Sequence, residues 1–181
     1  AVVVDDVTFA VVVDLEKLPT FVDKHLEVGP EQIALMRGTS PNWVYLEQEP
    51  RRLELDQANY LNHLAVLSTL SQTLEVTIGN LFSEDPIPAI VTCIVEVQVR
   101  SPEKLATYLE IEPQVFTAAD LKNLLLPKMG SSASHFFHEV TFSELPYDSA
   151  LATALSDRFK LAITPILEGL GIGICRGMAV A

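Results

Sequence analysis

Cysteine is scarce in this chain. Only Cys93 and Cys175 occur among its 181 residues, and each lies in a stretch whose residue pattern is typical of a β-strand. Two separate thiols of this kind predict reduced side chains that fill the core rather than a disulfide or a metal site. A chain of this length buries enough apolar surface to fold without such cross-links.

Positive charge is scarce as well. Twelve Lys and Arg residues stand against 24 Asp and Glu residues, so the formal net charge is −12. A field of this sign repels nucleic acid and anionic lipid, and the composition therefore predicts no nucleic-acid partner. The short basic segment at Arg51 and Arg52 lies among acidic residues and is predicted to be a solvated loop.

Long apolar runs and targeting signals are also missing. The longest apolar run near the start, Val7–Val13, is far below the roughly 20 residues that a membrane-spanning helix requires. The chain begins at Ala1 without a secretion signal. We therefore expect a piece of a longer protein, with any membrane contact made by segments outside these residues.

The strongest pattern that is present lies in Pro88–Arg100, which is predicted to be the longest strand. Alternate residues along it are apolar, a period of two that indicates one buried face. The residues on this apolar parity are Val91, Cys93, Val95, Val97 and Val99. Ile90 and Ile94 interrupt the other, more polar parity, which suggests that part of that face is covered.

Other strands are predicted on either side of this one. Leu74–Ile78 is expected to pair with it in antiparallel fashion, and the first half of the chain is expected to form a meander. A hairpin is predicted between Glu31–Arg37 and Asn42–Leu46, and a short helix within residues 18–26. The remaining predicted strands are Val7–Asp14, Leu64–Thr69 and Ile172–Val180.

Helical spacing begins after the long strand. Ser101 is predicted to cap a short helix with Pro102 in its first turn. Thr117 and Asp120 resemble a capping box that opens a second helix, which is expected to break or kink at residues 127–130. A further turn is predicted over residues 141–145.

The last long helix is expected to start at Asp148 or Ser149 and to kink at Pro165. Gly169 and Gly171 are predicted to stop it. The order of elements predicts an α+β domain: a curved, mostly antiparallel sheet with three to four helices packed on one side. Residues 1–28 are expected to form a lead-in and residues 29–181 to form the domain.

The order of several phrases resembles the SPFH (band 7) domain of stomatins, prohibitins and flotillins. That family has a strand that ends in an Arg-Val-x-Asp-Pro-like phrase, here VQVRSP with Ser101 in place of the acid. Its last helix runs into a Gly-Ile strand, here Gly171-Ile172, and its early Pro-Gly-Glu turn resembles VGPEQIALMRG, in which Gly and Pro are inverted. The chain departs from the family at Glu84–Pro86, where an Asp-Gly turn is usual. The resemblance covers about Val28–Val180.

The resemblance implies a non-enzymatic scaffold that assembles with itself and organises partner proteins, such as a protease or a membrane protein. It implies a cytoplasmic location, with contact to the inner face of a membrane. An alternative is a soluble SPFH-like adaptor or particle-forming protein without membrane attachment. We expect this chain alone to be monomeric or weakly dimeric, with self-pairing first at the strand of residues 172–180.

Several residues are of types that could support catalysis or bind a metal, which would argue for an enzyme instead of a scaffold. His135 and His138 lie three apart on a predicted helix and would be the ligands of a metal-dependent enzyme, the least favoured alternative, but they match no metalloprotease motif. The serines at 131, 132 and 134 lack a nucleophile or phosphate-loop motif. His25 and His63 lie near acids in the sequence without a nucleophile. The sequence therefore predicts no catalytic residue, no cofactor site and no metal site.

Overall fold

The computed structural model describes residues 8–14, 25–26, 28–38, 40–46, 53–54, 61–82, 88–110, 115–139 and 149–180. They divide into two compact units, each built from segments that lie far apart in the chain. Unit 1 draws on Ala1–Leu70, Val99–Ala118 and Leu170–Ile172, and unit 2 on Ser71–Gln98, Ala119–Gly169 and Gly173–Ala181.

The described elements are ten strands and three helices. In chain order they are β1 (Thr8–Asp14), β2 (His25–Leu26), β3 (Gln32–Gly38), β4 (Val44–Tyr45), β5 (Leu53–Glu54), β6 (Leu61–Ser68), β7 (Gln72–Phe82), β8 (Pro88–Val99), α1 (Pro102–Leu109), β9 (Val115–Thr117), α2 (Ala118–His138), α3 (Ser149–Leu170) and β10 (Ile172–Val180). The predicted α+β class is confirmed, because three helices accompany antiparallel open sheets. The described strands form three sheets, of five, three and two strands, where one curved sheet was predicted.

Unit 1 contains the five-stranded sheet, in the order β4-β3-β6-β1-β9. Its central strands are buried on both faces. Four consecutive residues of β6, Leu64–Leu67, are at most 2% exposed, and the run LAVL has no polar residue to face water. Ala34, Leu64 and Val66 form a cluster on one face, whereas Leu35, Ala65 and Leu67 lie on the opposite face because side chains alternate along a strand.

Helix α1 begins where the sequence predicts. Ser101 lies at the N-cap position, but its side chain makes no capping hydrogen bond; its carbonyl oxygen instead accepts from Lys104 N at 3.1 Å. Gly171 lies close to this turn, and its carbonyl oxygen accepts from both Arg100 N and Ser101 N at 2.8 Å. Its φ is +72°, and a Cβ there would lie 2.3 Å from Ser101 O, so only glycine fits.

Unit 2 contains the three-stranded sheet, in the order β10-β8-β7. The predicted antiparallel pairing of Leu74–Ile78 with the long strand is confirmed, with Val76 opposite Cys93. The pairing shifts register between Ile78 and Leu81, where Asn80 has a φ of 57°, which marks a β-bulge. One face of the sheet is almost fully buried, and its residues are Leu74, Val76, Ile78, Val91, Cys93, Val95 and Val97.

The two long helices of unit 2 each bury one stripe. In α3 the deepest residues are spaced four apart, at Leu155, Phe159, Ile163 and Leu167, whereas Ala162 and Ile166 are half-buried. Ser156 Oγ donates to the Met178 carbonyl at 3.0 Å, which fixes α3 beside β10. Helix α3 runs through Pro165 and Gly169, so Gly169 does not stop it; the left-handed Gly171 follows its end.

Of the predicted kink or break in the second helix, the break is wrong, because α2 is one continuous helix that contains both Pro127 and Gly130; the kink stays a prediction. An internal proline costs about 3 kcal/mol relative to alanine. That cost is outweighed by burial, at roughly 1.5–3 kcal/mol for each large apolar side chain. The buried residues of α2 are Leu121, Leu125, Met129, Ala133, Phe136 and Phe137.

The predicted meander is also wrong in its pairing. Strand β6 pairs with β3 and β1 rather than with the long strand, so the first half of the chain supplies strands to all three described sheets. Residues 18–24 of the predicted short helix, the turn at 141–145 and Arg51–Arg52 lie outside the described residues; His25–Leu26, the end of that predicted helix, is a strand. None of the described helices is long and apolar enough to cross a membrane.

Candidate functional site

The histidine pair singled out in the sequence lies in the last turn of α2. The side chains of His135 and His138 are both exposed. Within the described ranges, no group of three or more His, Cys, Asp or Glu is placed to hold a metal ion, so the pair gains no third ligand there. The arrangement offers at most two surface imidazoles.

The other sequence candidates are dispersed. Ser131, Ser132 and Ser134 lie inside α2 rather than in a loop that would present a nucleophile or cradle a phosphate. His25 lies in β2 and His63 in β6, while their sequence neighbours Asp23 and Asp56 fall outside the described residues. The structure does not bring these candidates together into one site.

Neither cysteine is part of a disulfide, and the two thiols lie in different settings. Cys93 is fully buried in β8, and burial raises the pKa of its thiol to about 11, since the apolar surroundings disfavour the thiolate. Cys175 is half-buried in β10, with its Sγ 3.7 Å from Gln98 Oε1. Cys93 behaves as a small core residue that is protected from reaction at neutral pH.

A polar cluster in unit 1 was not found by sequence reasoning. Arg37 Nη1 of β3 lies 2.7 Å from Glu110 Oε2, just after α1, and the guanidinium lies 5.8 Å from the Trp43 ring centroid. Arg37 is also the direct cross-strand partner of His63, which is in turn opposite Asp14. Four ionisable side chains from four segments are thereby assembled at one end of the sheet.

Three atoms of this cluster are buried without a hydrogen-bond partner: Arg37 Nε, His63 Nδ1 and Glu110 Oε1. Buried polar atoms are normally paired, so these three unpaired atoms distinguish the cluster from the rest of unit 1 as the structure describes it. No sequence motif reveals this cluster, because Arg37, His63 and Glu110 are separated by tens of residues. The sequence alone shows only that each of these three residues is charged or polar and lies at the end of a predicted element.

The edge strand β4 is held to α1 by a set of side-chain bonds. Trp43 Nε1 donates to Thr107 Oγ1 at 3.1 Å, and Tyr45 Oη donates to a Glu103 carboxylate oxygen. Burial raises the pKa of Tyr45 to about 12, with the bond to Glu103 and its charge as further causes. Because Glu103 and Thr107 are four apart on one helix face, these contacts fasten the hairpin to α1.

The second candidate region is the outer face of the unit 2 sheet, opposite its buried face. We define the outer face by the residues Thr73, Glu75 and Thr77 of β7 and Ile90, Thr92, Ile94 and Glu96 of β8. Ile90 is 71% exposed and Ile94 is 41% exposed. Direct cross-strand pairs place Thr77 beside Thr92 and Glu75 beside Ile94. Five of these seven side chains are β-branched, and the other two are the carboxylates of Glu75 and Glu96.

Glu96 makes polar contacts at one end of the outer face. Ser71 Oγ donates to its Oε1 at 2.5 Å, and Arg176 Nε of β10 lies 3.2 Å from its Oε2. The side chain of Arg176 remains 82% exposed despite this contact. The edge strand β10 therefore presents a cation to solvent beside the outer face.

Both outer strands of this sheet, β7 and β10, lie at an edge, since neither has a second neighbour in the described part of the chain. They are long, with 11 residues in β7 and 9 in β10. The N–H and C=O groups of an edge strand are a template for pairing with another strand. This is the arrangement with the clearest potential for binding, and the chemistry that it supports is recognition of another chain.

No family model matches the chain, and no curated protein matches it either.

Proposed function

We propose that this protein is a non-enzymatic scaffolding and oligomerisation domain that organises partner proteins. The observation that carries the proposal is the sheet of unit 2, which combines two long edge strands with exposed isoleucines on its outer face. Isoleucine and threonine side chains on an exposed sheet face suit packing against another protein. The likeness of phrases such as VQVRSP and GLGIGI to the SPFH family supports the same role.

Self-association is the property that tests this function. The mass of the purified chain would be followed by sedimentation velocity and light scattering across a wide concentration series at low and high salt. We expect weak, concentration-dependent association that strengthens with salt, because screening reduces the repulsion between chains with a net charge of −12. The sequence alone allows a monomer or a weak dimer, whereas the two edge strands of the unit 2 sheet favour association, so a strictly monomeric chain under all these conditions would contradict the proposal.

A cytoplasmic location next to the inner face of a membrane is part of the same proposal. The chain's own negative charge disfavours direct contact with anionic lipid, so membrane contact is assigned to segments outside these residues. Flotation with vesicles of neutral and anionic lipid measures this directly. We expect the chain to stay in the bottom fraction with both; co-flotation with anionic vesicles would overturn the assignment.

A further inference from the structure

We infer that copies of this chain join head to tail, with the β10 edge of one copy pairing with the β7 edge of the next. The inference rests on the proposed function and specifies its surface and geometry. It makes the three-stranded sheets of successive copies into one continuous sheet. The occupant of each edge is therefore a second copy of the same chain.

The usable length of each edge is set by the backbone. The bulge between Ile78 and Leu81 twists the end of β7 away from regular pairing, which leaves the seven residues Gln72–Ile78 as a regular edge. Strand β10 offers the nine residues Ile172–Val180. Its Gly177 has open space around its Cβ position, so side chains do not block the approach of a neighbouring strand there.

Three ways of joining two copies are open to such a sheet. A two-fold axis would pair β10 with β10 or β7 with β7, whereas a head-to-tail contact pairs β10 with β7. Strand β10 runs antiparallel to β8, because residue numbers fall along β8 as they rise along β10: Cys175 contacts Gln98 and Arg176 contacts Glu96. Both outer strands are thus antiparallel to β8 and parallel to each other, so equally oriented copies would join through a parallel pair.

The charges of the two edges favour the head-to-tail contact. Strand β7 (QTLEVTIGNLF) carries one acid and no base, and β10 (IGICRGMAV) carries one base and no acid. Two β7 strands would bring Glu75 residues together, and two β10 strands would bring Arg176 residues together; like charges that face each other across strands are destabilising. Only the β10–β7 contact sets Arg176 against Glu75, both of which are exposed.

The consequence is an assembly that is not limited to a dimer. Each copy in a head-to-tail contact keeps one free β7 edge and one free β10 edge, so addition continues until a ring closes or a filament grows. Parallel pairing is slightly weaker per residue than antiparallel pairing. Together with the net charge of −12, this makes each contact weak and the assembly dependent on concentration.

Charge reversal tests the edges. The variants are Glu75→Arg, Arg176→Glu and the double variant, compared with wild type by sedimentation velocity. Each single variant should weaken association by roughly threefold to thirtyfold, because it turns an attractive cross-strand pair into a repulsive one. The double variant, and an equimolar mixture of the two single variants, should recover association because opposite charges again face each other.

The control variants separate edge effects from net charge. Asp157→Arg and Lys160→Glu make the same charge changes at exposed positions of α3 and should shift association much less than the edge variants. If Arg176→Glu proves unstable, because it faces Glu96, Arg176→Gln should give a smaller loss in the same direction.

The possible outcomes distinguish a failure of the edge contact from a failure of the proposed function. In a β10–β10 or β7–β7 contact a charge reversal keeps like charges facing each other, so a mixture of wild type with the variant would associate more tightly than either chain alone. That result with Arg176→Glu would indicate β10–β10 pairing, the same result with Glu75→Arg would indicate β7–β7 pairing, and either result overturns the head-to-tail contact. Association of wild type that no edge variant changes would overturn the edge inference while leaving the proposed function standing. Wild type that never associates would overturn both.

Discussion

The strands of the two units are buried in different ways. In unit 1, β1 and β6 are buried along consecutive residues, as in Phe9–Val12 and Leu64–Leu67. In unit 2, β7 alternates strictly, with Leu74, Val76 and Ile78 at most 5% exposed and the residues between them exposed. A strand covered on both faces needs an apolar residue at every position, whereas a strand with one free face needs one at every second position.

The comparison explains where binding potential remains. In the centre of the unit 1 sheet no strand face is left for a partner, and its polar residues gather at the strand ends, around Arg37 and His63. In the unit 2 sheet the alternation leaves one whole face and two edges accessible. The single-faced sheet is therefore the one assigned to self-association, and the two-faced sheet is assigned to stability.

The largest effect is expected from a charged side chain placed on the buried face of β8. Val95→Asp should prevent soluble folding, since Val95 is fully buried and an unpaired carboxylate in a core is very costly. The matched control is Glu96→Ala on the next residue, which removes surface contacts worth less than about 1 kcal/mol. Soluble yield and chemical denaturation measure both variants; equal stability would show that the faces of β8 are assigned the wrong way round.

The next effect contrasts the two sheets at single apolar residues. Leu64→Ala and Leu67→Ala in β6 should each cost about 2–5 kcal/mol, although they lie on opposite faces, because both side chains are at most 2% exposed. In unit 2, Ile78→Ala should cost a similar amount, whereas Ile90→Ala should change stability by less than about 0.5 kcal/mol. Urea titrations of the four variants test this. A clear difference between the two β6 variants would mean that one face of unit 1 is not covered.

A smaller effect is expected at two glycines. Gly171→Ala should destabilise by about 1–3 kcal/mol, because the left-handed backbone and the nearby Ser101 carbonyl leave no room for a methyl group. Gly130→Ala should stabilise by up to about 1 kcal/mol, since Gly130 lies inside α2 with open space at its Cβ position. Thermal unfolding of both variants gives the signs. A destabilising Gly130→Ala would argue for a helix break after all.

The smallest effect concerns Cys93 at alkaline pH. Its pKa is raised to about 11 from the ordinary value of 9.0, so between these values the unfolded chain loses the thiol proton while the folded chain keeps it. Stability should therefore fall as pH rises through this window and should not change on this account below it. Cys93→Ala should show a shallower decline than wild type, whereas Cys175→Ala should retain it. Denaturation at pH values below and inside the window measures the difference.

The candidate regions were predictable to different degrees. The alternation in Pro88–Arg100 indicates a buried valine face, which the structure has, but the expectation that Ile90 and Ile94 lie on a covered part of the other face is wrong, because both are exposed. The open edge at residues 172–180 was also expected. The polar cluster of Arg37, His63 and Glu110 was not, because its members meet only through strand pairing and the end of α1.

Consecutive residues determined the local elements of this protein. The period-two runs placed β7 and β8, the run of apolar residues placed β1, and Ser101-Pro102 placed the start of α1, since each signal is a property of neighbours in the chain. Only the tertiary structure decided that β1 lies between β6 and β9, that the described strands form three sheets, and that α2 continues through Pro127. These outcomes depend on burial against residues far away in sequence, and that stabilisation can exceed local propensity by several-fold.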